Sequence, residues 1–180
     1  MFHQVAPMTQ LTYNAAFDSY HTIFRIFRSR LSVLTGDDYA LETVRIVDFF
    51  LMFPYKLQNF SFKTEHLHFR AISKKFERLK PYGDQPIDWT IFSRMEEIQR
   101  ASLSTLSEEG FIEADAFLDG RVKFSDKEIP SSLFPRLEKL AEEDKDFLDA
   151  LRTLVSDYSL TGASGLKRRS GLLEHRYDAA

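Results

Sequence analysis

The sequence predicts a mainly α fold with a small β-hairpin: a helical domain built around a winged helix-turn-helix. Three observations lead there. Apolar residues recur at spacings of three and four over most of the chain. The stretch 111–124 changes to a period near two around Asp119-Gly120, a strong hairpin turn. Phe accounts for 17 of the 180 residues against a single Trp, which suits a helical core packed through aromatic rings or an apolar docking face. Cysteine is absent, which excludes a disulfide framework, thiolate zinc sites and a cysteine nucleophile. The net charge of −3 gives no whole-molecule attraction for polyanions.

Residues 1–13 have weak periodicity and are expected to form an N-terminal arm. The helical pattern begins near Asn14, where Tyr20, Ile23, Phe24, Phe27, Leu31 and Leu34 form one stripe that ends at Gly36-Asp37-Asp38. A second helix is expected over Leu41 to Phe53. It is apolar on most sides, as a central helix must be, and Pro54 stops it. Leu57 to Phe62 is ambiguous. A third helix over Leu67 to Leu79 sets Phe69, Ile72 and Phe76 against a cationic face, and Pro81-Tyr82-Gly83-Asp84 forms a turn.

Asp88 is placed to cap a helix from Trp89, which Ile91, Phe92, Met95, Ile98 and Gln99 carry toward Gly110, with a possible break near Arg100. Phe111–Ala114 then reads as a strand and Arg121–Phe124 as its return, so helix, glycine, strand, turn and strand lay out a winged helix. This domain is expected over 14–130. Ser131 or Ser132 is placed to cap a C-terminal helical segment over 131–160, whose apolar repeat Asp144 interrupts. Residues 161–180 are rich in Gly, Ser and charge, and are expected to be a flexible tail. No apolar run approaches the roughly 20 residues that span a bilayer. The N-terminal residues lack the pattern of a signal peptide, so a cytoplasmic protein is expected.

Catalytic chemistry finds no support. There is no nucleophile elbow, phosphate-binding glycine loop or His-Glu-x-x-His motif, so no enzyme and no cofactor are expected. His66 and His68 would share a face only on a strand, and no carboxylate at ligand spacing joins them, so no metal site is expected. His21 has no identifiable nucleophile or orienting group.

Charge patterning carries more. Between Lys63 and Lys80 six basic residues face two acidic ones, with Arg70, Lys74, Lys75 and Arg78 on one helix side. Such a stripe either contacts phosphates or an acidic protein surface, or is a solvated helix face. The return strand adds Arg121 and Lys123 as phosphate-contacting candidates. The helix before the hairpin works against base readout, because Ser102, Ser104, Thr105, Ser107, Glu108 and Glu109 are its exposed candidates. Arg25 and Arg28, three apart on the first helix, are read with His21 as a partner-binding face. The segment 138–149 carries six acidic residues against two basic ones.

Three stretches carry a resemblance. They are Phe17-Asp18-Ser19-Tyr20-His21-Thr22-Ile23-Phe24-Arg25, the run Leu41-Glu42 followed by Arg45-Ile46-Val47-Asp48-Phe49-Phe50-Leu51-Met52-Phe53-Pro54, and Phe92-Ser93-Arg94-Met95-Glu96-Glu97-Ile98-Gln99-Arg100-Ala101-Ser102-Leu103. Together, over roughly residues 13–125, the chain resembles the middle component of bacterial ABC-three-component conflict systems, and most of all the small middle subunit of Lamassu-type anti-phage complexes. The resemblance implies a non-catalytic adaptor docked on an SMC- or Rad50-like ABC ATPase and coupling it to an effector, often a nuclease. Weak non-specific DNA contact is compatible with that role. The alternative reading is a winged-helix DNA-binding transcriptional regulator.

Overall fold

The structure, a computed structural model, describes residues 14–173. The expected arm over 1–13 and the last residues of the expected tail lie outside that range. The Asn14 side chain accepts from the Ala16 amide and opens a 3₁₀ turn over Ala15–Phe17. Asp18 then caps α1 (Ser19–Ser32) by accepting from the His21 amide, which satisfies one of the orphan donors of a helix start.

The central helix is α2 (Leu41–Met52). All of its residues except Glu42 and Met52 are buried. Phe49 is its hub, with ring centroids at 5.5 Å from Phe50, 5.3 Å from Phe53 and 5.8 Å from Phe92. Edge and tilted ring pairs of this kind stabilise beyond the area they bury. Pro54 ends α2 as expected and starts a 3₁₀ helix over Pro54–Asn59, and the ambiguous stretch after it buries Leu57, Phe60 and Phe62. The third helix is split into α3 (Phe69–Ser73) and a 3₁₀ helix over Lys74–Leu79.

The fourth helix, α4 (Asp88–Glu108), runs unbroken through Arg100 and packs on α1 and α2. Asp88 makes no capping hydrogen bond. Its carboxylate is taken by Lys56 and by Asn59, whose Nδ2 donates at 2.9 Å.

The β region differs from the expected hairpin. Gly110, at φ 78°, ends the turn after α4, and Ile112 makes a single bridge to Phe124. Ala114, the last residue of the expected outgoing strand, instead begins α5 (Ala114–Leu118), because Ala114, Ala116 and Leu118 are strong helix formers. The return strand is present as β2 (Arg121–Lys123), but its partner is β1 (Asp38–Ala40), from the segment before α2. Tyr39 sits opposite Val122 in this two-stranded antiparallel sheet. The sheet therefore closes over the start of α2, and Leu41 N–H donates to Gly120 C=O at 3.0 Å.

The C-terminal segment forms α6 (Phe134–Glu143) and α7 (Lys145–Asp157), divided at Asp144 as the interrupted repeat foreshadowed. Ser131–Leu133 is a 3₁₀ turn without a side-chain cap. Within the stretch expected as a tail, α8 (Leu166–Ser170) buries Leu166, and Leu172 follows it into the core. The Ser61 amide donates to Arg169 C=O at 2.9 Å and ties this end to the turn after α2. Among the described residues, no helix is long and apolar enough to cross a membrane.

Candidate interaction surfaces

Asp48 lies on the buried face of α2 at 2% exposure, and an ionised carboxylate there requires partners. Arg25 of α1 supplies them. Its Nε donates to Asp48 Oδ1 at 2.6 Å and its Nη2 to Oδ2 at 3.3 Å. Further Arg25 donors reach Ala15 C=O at 3.0 Å and Thr22 Oγ1 at 2.9 Å. Gln99 of α4 closes the set, donating to Asp48 Oδ2 at 2.8 Å and accepting from Arg45 Nε at 3.0 Å. The Arg45 guanidinium lies 4.5 Å from the Phe92 ring centroid and 3.3 Å from Glu96. Burial pushes Arg45 below its usual value, against the opposing pull of Glu96. Glu96 in turn is held below the ordinary carboxylate value, first by the hydrogen bond from Arg100 Nε at 2.7 Å. One polar network thus locks α1, α2 and α4.

This overturns the partner-binding face expected at Arg25 and Arg28. Arg25 is 7% exposed and Arg28 8%. Arg28 donates to Asp144 Oδ2 at 2.6 Å and to Leu140 C=O at 3.3 Å, pinning α1 to the break between α6 and α7. The physical reason is enclosure: α1 is flanked by α2 and α4 on one side and α6 on the other, so arginines three apart reach inward to two different neighbours. His21 is half-buried and lines a shallow apolar pocket of about 290 Å³ with Tyr20, Ile23, Phe24, Leu133 and Arg136.

The expected phosphate contacts fall into two groups. The β2 cations are answered within the chain. Arg121 engages both Asp38 oxygens, and Lys123 Nζ lies 3.0 Å from Glu113. Arg70, Lys74 and Arg78 are exposed, and no carboxylate pairs with them among the described residues. Lys75 donates to Asp146 at 2.8 Å. Beside these cations a cleft of about 390 Å³ runs between Ile72 and Phe76 and the acidic turn Glu142–Asp146.

His66 and His68 do not form a pair. The His66 Nδ1 meets Tyr158 Oη at 2.8 Å and its Nε2 lies 3.4 Å from Asp157, while His68 packs on Phe69. No group of three or more potential metal ligands occurs among the described residues.

A feature that sequence reasoning missed is an apolar groove of about 610 Å³ at the C-terminal end of α2, lined by Phe17, Met52, Phe53, Leu79, Pro81 and Ile91 among others. Its signal was the run from Leu79 through Pro81, Pro86 and Ile87 to Trp89, apolar residues in a segment too proline-rich for a helix.

Fold and surface together define a helical protein whose buried charges join helices, and whose exterior carries a cationic stripe and an apolar groove. The chain belongs to the ABC-three component (ABC-3C) system Middle Component 5 family, whose profile matches residues 11–178. That match extends beyond the three stretches that carry the resemblance in sequence and takes in α6, α7 and α8. Comparison with curated proteins and with solved structures gives no match.

Proposed function

We propose that this chain is a non-catalytic adaptor of a bacterial anti-phage defence complex, akin to the Lamassu middle subunit. In this reading it docks on an SMC- or Rad50-like ABC ATPase and couples it to an effector. The observation that carries the proposal is membership of a middle-component family over almost the whole chain, since a middle component implies protein partners. Two features support it. The ionisable groups of the core are engaged in joining helices, and the exterior offers an apolar groove beside exposed aromatic and aliphatic side chains. Arg70, Lys74 and Arg78, which have no carboxylate partner among the described residues, support a secondary, sequence-indifferent contact with nucleic acid that weakens as salt rises.

The test is co-expression of the tagged chain with the ATPase and effector components of its own system. Stable co-purification with the ATPase, and loss of phage protection when the chain is deleted, are the expected results. A chain that purifies alone, or intrinsic nuclease or ATPase activity in the isolated chain, contradicts the proposal.

A further inference from the structure

Exposed apolar side chains are concentrated in one place. Of the eight large ones among the described residues, four (Leu79, Tyr82, Ile87 and Trp89) fall within eleven residues of each other in sequence. Scattered single apolar residues need no explanation, but a cluster beside a groove does. Residues 80–87 form neither helix nor strand and are exposed throughout. Leu79, at the end of the preceding 3₁₀ helix, and Pro81, Gln85 and Pro86 from this segment line the 610 Å³ groove together with Phe17 and Ile91. Met52, which lines the groove, accepts at Sδ from Arg25 Nη1 at 3.4 Å and so joins it to the ion-pair network behind.

At the rim stands Arg94, its guanidinium 5.2 Å from the Phe17 ring centroid. Neither Arg94 nor the nearby Lys80 has a carboxylate partner among the described residues. Asp88 is occupied by Lys56, which leaves Asp84 as the single carboxylate of residues 79–87. A stacked guanidinium with free N–H groups beside an apolar trough is complementary to an apolar segment that bears a carboxylate. The N-terminal residues 1–13 contain neither Asp nor Glu, so they cannot supply that group.

We propose that the groove beside Leu79 and Arg94 receives an apolar segment of the ATPase component that presents a carboxylate to Arg94. The inference rests on the adaptor reading and gives it an address on the surface.

The test measures affinity of the full chain for the ATPase component of its system. Leu79→Asp and Arg94→Glu each lower affinity at least tenfold, while Tyr20→Ala, at the other apolar pocket, stays within about twofold of the parent. Thermal melts accompany each variant. Pro86→Asp, on the exposed segment and in the groove lining, repeats the measurement if Leu79→Asp proves destabilised. If the parent binds and the groove variants bind equally well, the groove inference falls and the adaptor reading stands. If the parent does not bind at all, both fall. A photocrosslinker at position 79 is expected to capture the ATPase in the assembled complex. Crosslinks ending instead on residues 1–13 or 174–180 of the same chain overturn the proposal, because the groove then holds its own terminus.

Discussion

The middle and the end of α2 face opposite conditions. At Asp48 the helix buries a charge and pairs it with Arg25, which Thr22 also engages, and with Gln99, so that little polar capacity is left over. One turn later, Met52 and Phe53 open onto an apolar groove that nothing in the chain covers among the described residues. The contrast teaches that a cation on a helix face is weak evidence of recognition. In the core, arginine is used to join helices, whereas the surface suited to a partner is the apolar one with a single charge at its edge.

The sharpest way to break this contrast is to remove one member of the central pair. Asp48→Ala leaves Arg25 charged, buried and unpaired, and should cost about 3–5 kcal/mol in urea unfolding. Leu79→Asp, at the groove, should change stability by less than about 0.5 kcal/mol. Similar losses at the two sites would erase the distinction. Replacing the pair together, as Arg25→Met with Asp48→Leu, should recover most of the loss, since a buried ion pair is often matched by apolar residues of similar size. Phe49→Ala next door should also cost about 3–5 kcal/mol, from the cavity left among Phe50, Phe53 and Phe92.

Smaller effects sharpen the same picture. Arg28→Ala should cost about 1–3 kcal/mol, because Asp144 and Leu140 C=O lose a charged donor at the join of α6 and α7. Acid should act on the network through Glu96. Its folded-state value is depressed, so its contribution is present above the ordinary 4.5 and lost as pH falls below it through the folded value. Glu96→Gln should therefore flatten the acid limb of a stability–pH curve, and an unchanged limb would remove Glu96 from the account. Least of all, Lys75→Ala should move stability by no more than about 0.5 kcal/mol, since both it and Asp146 are well exposed.

Much of the framework was legible in the sequence. The helical period of α1, the all-round apolar character of α2, the stop at Pro54 and the break at Asp144 follow from local periodicity and chain stereochemistry, and each has its counterpart in the fold. The expected stripe of α1 does not: Phe27 and Leu34 are buried, but Tyr20 and Leu31 are exposed, and the buried face includes Thr22, Arg25 and Arg28. The β region was misread because strand pairing is non-local. Arg121–Lys123 is extended, but nothing near it in sequence reveals that Asp38–Ala40, some 80 residues earlier, is its partner. The arginines were misread for a related reason. Spacing places Arg25 and Arg28 on one side of α1, but only the packing of α2 and α6 decides whether that side meets water. The groove escaped because Leu79, Met52 and Phe17 come from three distant segments.

Binding of the chain to the ATPase component of its own system tests the central claim most directly. Sedimentation velocity on a mixture of the two full-length proteins, at moderate salt so that the cationic stripe contributes little, should show the chain moving with the larger subunit as one species. A Leu79→Asp chain with an unchanged melting curve should sediment alone. If the unmodified chain sediments at the rate of a free 180-residue protein whatever the ATPase concentration, the adaptor account is contradicted.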